Sequence, residues 1–236
     1  MQTISIISAW SISRVKDKLY IPRVHSIYLD YVCEKYNNVF LIAPVVEKEE
    51  VDTKTSLIKY NNLSIVEMPY FGSYLGAQKY YFKYKKAVKQ ISKKVDLFYA
   101  RVPDPFSWMP ALLTDKPTIM HFVGDTIDAT KHNQLFSPLK KKLMIAGYMP
   151  EYKKVLKAAK QSEKVLTNGI HISTKLKEKG INAKPIVSST ISKNDLTKEF
   201  KTLSKDPLSL TYVGYLRGAK GIDTIINVIK LMNKDN

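Results

Sequence analysis

Acidic residues are scarce in this chain. Aspartate and glutamate number 21 against 38 lysines and arginines, a formal net charge of +17 at pH 7. That excess points to an anionic partner (nucleic acid, an anionic bilayer face or a phosphorylated small molecule), with lysine used simply as a solubilising residue as the plainer alternative. Cysteine is scarcer still. Cys33 stands alone, which excludes an internal disulfide and fits a reducing cytosol. No apolar run approaches the roughly 18 residues of a membrane span. The stretch Met1–Ser8 lacks a basic leader region and reads as a first strand. His25, His121, His132 and His171 are scattered without ligand spacing, so no metal and no metal cofactor is expected. The chain has no G-x-G-x-x-G, which argues against a dinucleotide site, and no G-x-S-x-G nucleophile elbow. No nucleic-acid-binding motif accompanies the positive charge, so nucleic acid is not the expected partner.

What is present is a full core's worth of apolar residues. Hydrophobic residues make up 44% of 236, enough for one large domain, or one domain plus a fragment, and too many for a disordered chain. Short apolar strands alternate with helices. Strands are expected at Thr3–Ala9, Asn38–Pro44 (stopped by the proline), Leu63–Pro69, Asp96–Ala100, Thr118–Val123, Lys164–Leu166, Pro185–Ser188 and Leu208–Val213. Helices are expected where Val24, Ile27, Tyr28, Tyr31 and Val32 recur at i, i+3, i+4, and where Ala77, Tyr80, Tyr81, Tyr84, Val88, Ile91 and Val95 trace one face. Others are expected at Lys140–Gly147 and Glu151–Gln161 (separated by Pro150), at His171–Lys179 closed by Gly180, and along Ile222, Ile225, Ile226, Ile229 and Met232. Leu196–Pro207 reads as a connecting segment. The pattern predicts an α/β fold, a Rossmann-like, mostly parallel sheet flanked by helices. Ligands of such sheets bind beyond the carboxyl ends of the strands.

The strand-end loops therefore hold the candidate residues. After Tyr99-Ala100, Arg101 is placed to clamp a phosphate or carboxylate, or to pair with Asp104. After Phe122-Val123-Gly124, Asp125 is placed as a base or sugar-hydroxyl acceptor, or as a helix cap. His121 lies within its strand, either a functional group or a packed core histidine. Asn168 either caps the next helix or touches ligand. Two lysine-rich stretches stand out: Gln78–Lys94, with no acidic residue, and Leu139–Lys160, where Lys140, Lys141 and Lys142 adjoin Leu143, Met144 and Ile145. Each fits a helix lying on an anionic bilayer, or a surface helix with one face in the core.

Near the end, Leu208–Val213 runs into Gly214-Tyr215-Leu216-Arg217-Gly218-Ala219-Lys220-Gly221 and then an amphipathic stretch. A glycine turn followed by a lysine and a helix is how a phosphate-cradling βα unit begins. Together with Tyr99-Ala100-Arg101, Phe122–Asp125 and Val165–Asn168, this segment resembles the family 4 glycosyltransferases of GT-B fold, across nearly the whole chain. The Tyr212–Gly221 segment is similar to the family's G-R-L-x-x-x-K-G. The resemblance implies an acceptor-side domain over 1–205 and the start of a truncated nucleotide-sugar-binding domain over 206–236. It implies a retaining transfer of sugar from a nucleotide sugar, without metal, to a lipid-linked or cell-surface glycan acceptor. Lys220, Arg217 and Gly214 would hold the donor diphosphate, Asp125 and His121 would be catalytic, and Arg101, Asp104 and Asn168 would line the acceptor cleft. The protein would be cytoplasmic and peripheral on the inner membrane face, with Lys140, Lys141 and Lys142 towards the membrane. Three departures are visible. Tyr215 stands where the family has its arginine, with Arg217 two residues on. Gly124 precedes Asp125 where a histidine is frequent. The family's E-x7-E element is absent. The last departure raises the alternative of a catalytically incomplete half that binds acceptor, membrane or a second polypeptide supplying the remaining domain.

Overall fold

The computed structural model describes residues 2–187, 211–213 and 221–232. Its strands are β1 (Thr3–Ile7), β2 (Ile12–Val15), β3 (Lys18–Pro22), β4 (Asn38–Glu47), β5 (Thr55–Leu57), β6 (Leu63–Pro69), β7 (Leu97–Val102), β8 (Thr118–Phe122), β9 (Lys164–Asn168) and β10 (Lys184–Ile186). The helices are α1 (Arg23–Lys35), α2 (Tyr74–Gln78), α3 (Tyr81–Ile91), α4 (Met109–Leu113), α5 (Thr126–Lys131), α6 (Pro138–Gln161), α7 (Ile170–Lys177) and α8 (Ile222–Met232). The strands form one sheet. Its body runs β10-β9-β8-β7-β1-β4-β6, with every neighbouring pair parallel. The Rossmann-like, mostly parallel α/β architecture expected from the alternation is what the chain adopts.

Parallel strands need crossovers, and these put helices on the faces. One face carries Phe98, Ala100, Val102, Met120, Phe122 and Val165, packed with Tyr84 and Val88 of α3, Met109 of α4, Val155 and Ala158 of α6 and Leu176 of α7. The alternate residues Ile4, Ile6, Val39 and Leu41 face the other way and meet Leu29 of α1. Each fully buried large side chain contributes about 1.5–3 kcal/mol. From β1 the chain moves outward through β4 to β6. It then returns across the sheet to β7 and continues outward on the opposite side to β10. The order reverses between β1 and β7, which makes their carboxyl ends the crevice where such sheets bind ligands.

Several local expectations are corrected. Pro44 does not stop its strand; β4 runs on to Glu47. Ile42 O accepts from Ser8 N–H while Val39 N–H bonds on the β6 side, so by alternation the missing N–H of Pro44 faces the β1 side. There β1 has ended at Ile7, and β2 joins only at the Ile12–Val45 pair, so no ladder bond is lost. Pro150 does not divide α6, which is continuous over Pro138–Gln161. The carbonyl it frees belongs to Ala146, an exposed residue open to water, while Tyr148, Glu151, Val155, Ala158 and Ala159 anchor the later turns in the core. The segment after β1, where no strand was expected before Asn38, holds the antiparallel hairpin β2–β3, extended by β5. The helical face over 77–95 is broken into α2 and α3. Leu196–Pro207, residues 208–210, the boundary between 205 and 206, and Gly214, Arg217 and Lys220 lie outside the described residues. Residues 211–213 are described and carry no strand.

Candidate functional site at the switch point

The loops after β1 and β7 are tied together by one buried carboxylate. Asp104 Oδ2 accepts from the Ser8 hydroxyl at 2.7 Å and from the Ala9 N–H at 2.9 Å. Burial pushes its carboxyl above the usual range, opposed by those hydrogen bonds and by the nearby Arg101 charge. Asp104 thus positions the β1 loop. It does not form an ion pair with Arg101, so the structural pairing weighed for those residues is not what the chain uses.

That tether holds Trp10 buried above the strand ends. Its indole stacks on His25 of α1, with ring centroids 4.6 Å apart and planes 11° off parallel. The Arg101 guanidinium lies 5.2 Å from the Trp10 ring centre, within reach of its quadrupole. Burial, then the Arg101 charge, lowers His25 to about 4. Its folded value lies below the unfolded one, so this contribution to stability is present above about pH 6.5 and is lost as the pH falls towards 4. An NMR titration is expected to place the His25 midpoint near 4. A midpoint near the ordinary 6.5 would contradict the buried stack.

Arg101 and His121 are register partners on β7 and β8. His121 is buried and both its ring nitrogens are engaged. Nε2 meets Asn168 Oδ1 at 2.8 Å, and Nδ1 meets the Tyr99 hydroxyl at 2.5 Å. A carboxamide oxygen only accepts, so Nε2 carries the proton and Nδ1 accepts from Tyr99. Burial, first, and the Arg101 charge lower the His121 pKa against the Asn168 bond. The ring is neutral, and burial pushes the Tyr99 hydroxyl up to about 12. Asn168 does not cap α7, whose N-cap is Gly169 at φ +88°. Its side chain serves the histidine.

These groups line a cavity of about 520 Å³ on the α1 face of the sheet. Ile4 and Ile6 of β1, Ile119 of β8 and Leu166 of β9 form its floor, and Ile27, Tyr28 and Tyr31 of α1 form a wall. The helices of the opposite face cover β7, β8 and β9 from the other side only, which leaves this stretch open.

Asp125 belongs to a different cavity, lined by Pro103, Gly124, Tyr148, Tyr152 and Lys175. It is the N-cap of α5, with Oδ1 accepting from Ile127 N–H at 2.9 Å and Asp128 N–H at 3.1 Å. Oδ2 lies 3.3 Å from Lys175 Nζ, and Lys175 also pairs closely with Asp128. Asp128 accepts from His171 Nε2 at 3.1 Å as well, and Lys175, first among its causes, lowers its pKa. Asp125 and His121 are therefore not brought into one cavity. Trp10, His25, Tyr99 and Lys175 were missed as site residues. Tyr99 was visible in the Tyr-Ala-Arg landmark, whereas the other three depend on tertiary contacts.

No group of His, Cys, Asp or Glu with metal-holding geometry occurs among the described residues. No helix among them is long and apolar enough to cross a membrane. No protein-family model and no curated protein matches the sequence. Among solved structures, the chain is similar to Glycyrrhiza uralensis UGT73P12 complexed with glycyrrhetinic acid 3-O-monoglucuronide. The identity is 9% and the TM-score 0.40, covering 78% of this chain and 48% of that one. It is also similar to Arabidopsis thaliana UGT89C1 complexed with UDP-L-rhamnose. There the identity is 5% and the TM-score 0.36, covering 87% of this chain and 55% of that one. The chain thus spans about half the length of each. At that degree of likeness neither structure bears on what this chain binds.

Proposed function

We propose that this chain is the acceptor-side part of a glycosyltransferase of GT-B type, resembling family 4. It moves a sugar from a nucleotide sugar to a lipid-linked or surface-glycan acceptor with retention of configuration. The observation that carries the reading is the site at the β1/β7 switch point. There Arg101 and the Tyr99–His121–Asn168 chain meet around an open cavity, with the β1 loop tethered above it by Asp104. Arg101 and Asn168 face the acceptor. His121 orients through a neutral ring, and Asp125, held as a carboxylate partner of Lys175, is the candidate to accept from an acceptor hydroxyl. The donor diphosphate falls to Lys220, Arg217 and Gly214 of the Tyr212–Gly221 segment, by positive charge and open backbone.

The membrane part of the proposal rests on the first turns of α6 and the residues just before it. Leu135, Leu139 and Leu143 are 91%, 68% and 66% exposed, alongside exposed Lys140 and Lys142 and half-buried Lys141. Apolar residues flanked by lysines suit an anionic bilayer face. A second reading, a half completed by another polypeptide, is favoured by α8, whose Ile225, Ile226 and Leu231 are exposed.

The test is sugar transfer. The gene product, in the longest form its own cells make, is incubated with each labelled nucleotide sugar of those cells and their lipid extract. A labelled lipid or glycan is expected. Absence of product from every donor, with the protein folded and a second polypeptide from the same cells supplied, overturns the assignment.

A further inference from the structure

We propose that Trp10, His25 and Arg101 form a recognition subsite for an amphiphilic oxyanion, a phosphate or carboxylate head joined to an apolar body. The inference rests on the reading of this cleft as the acceptor's, and it specifies that acceptor's chemistry.

Three buried polar atoms at this place have no hydrogen-bond partner among the described residues: Trp10 Nε1, His25 Nδ1 and Arg101 Nε. Buried polar groups in folded proteins are almost always paired with protein, water or ligand. Here three orphans are gathered in one stack, since Trp10 lies on His25 and Arg101 lies over Trp10. The indole and guanidinium nitrogens only donate, so their missing partner is an acceptor. It is also an anion. Arg101 has no ion pair among the described residues. The nearest tethered carboxylate, Asp104, spends its Oδ2 on Ser8 and Ala9. Guanidinium forks suit phosphate and carboxylate alike.

Trp10 and Arg101 line the cavity, His25 backs it through its stack on Trp10, and the other lining residues set the remainder of the ligand. Ile4, Ile6, Ile119 and Leu166 floor it and Ile186 closes the far end. A simple inorganic anion leaves that surface wet, whereas an apolar body attached to the head covers it.

The test uses octyl phosphate and octanoate below their micelle thresholds, with inorganic phosphate and octanol as partial ligands. Binding is followed by Trp10 fluorescence in a Trp108→Phe background. Octyl phosphate or octanoate is expected to bind at least about tenfold more tightly than either partial ligand, and Arg101→Gln to weaken that binding about tenfold or more. Comparison of the two amphiphiles distinguishes a phosphate head from a carboxylate. Exposed Lys59→Ala controls for general attraction to a basic protein and should change nothing. In the unaltered protein, the His25 ring resonances should move on binding, which keeps the test valid if Arg101→Gln folds poorly. Octanol binding as tightly as both amphiphiles, or His25 resonances that stay fixed while the ligand binds, overturns the subsite. None of these measurements needs a sugar donor. Amphiphile binding without any sugar transfer would remove the transferase reading and leave the subsite standing; transfer without such binding would remove the subsite alone.

Discussion

Replacing Glu151 with alanine is expected to lower stability by about 3 kcal/mol. Glu151 is buried in the middle of α6. One oxygen, Oε1, accepts from the Phe106 N–H at 3.1 Å and from Trp108 Nε1–H at 2.6 Å. Phe106 sits at φ +64°, a conformation that a non-glycine residue adopts only when its surroundings hold it there. Alanine leaves two buried donors unsatisfied, at about 1–3 kcal/mol each, and opens a cavity besides. Glutamine keeps an acceptor oxygen and is expected to cost about 1 kcal/mol. Urea unfolding reads both as a fall in midpoint at constant slope. A loss below about 0.5 kcal/mol for alanine would mean that the loop is held by its aromatic contacts alone, such as the Tyr84–Phe106 pair at 4.8 Å. The loop begins just after Arg101, so the alanine variant should also weaken ligand binding at the switch point.

Lys220→Ala is expected to reduce sugar transfer by about 10²–10³-fold while leaving acceptor binding intact. On the proposed reading Lys220 stabilises the charge that develops on the departing nucleotide, an interaction made chiefly in the transition state. The loss should therefore fall on kcat more than on KM. Arg217→Ala should cost less if Arg217 only stands in for the arginine that Tyr215 replaces. Unchanged kinetics in Lys220→Ala would remove the donor role from the Tyr212–Gly221 segment and, with it, the main support for the family 4 resemblance.

The parallel sheet was legible in the sequence because strands buried on both faces are continuous apolar runs. Val39–Ala43 and Phe98–Ala100 could be placed from composition alone. The β2–β3 hairpin was not. Its turn, Lys16-Asp17, has neither glycine nor asparagine, although Lys16 sits at φ +54°. Pro44 and Pro150 misled for a shared reason. A proline ends an element only if its missing hydrogen bond matters there, and that depends on neighbours the sequence does not reveal. Arg101, His121 and Asn168 were singled out from their places in or at the ends of the apolar strands. The hydrogen-bonded row Tyr99–His121–Asn168, with Arg101 as the register partner of His121, depends on register across β7, β8 and β9, which no local pattern encodes. Trp10 and His25 are separated by the hairpin, which places the start of α1 beside the β1 loop, so their stack was out of reach of a linear reading. Asp125 carried two readings, and the cap is the one its oxygens display; an acceptor contact through Oδ2 is what the proposed function adds.

The central claim is that the acceptor lies at the β1/β7 switch point. The most direct measurement is photo-crosslinking with the acceptor identified from the transfer assay, carrying a diazirine next to its anionic group, followed by mass-spectrometric mapping. Adducts are predicted on peptides containing Trp10, Tyr99–Arg101 and His121, with loss of labelling in Arg101→Gln. Adducts confined to the Asp125–Lys175 cavity or to α8, with none around Trp10 and Arg101, would contradict the account.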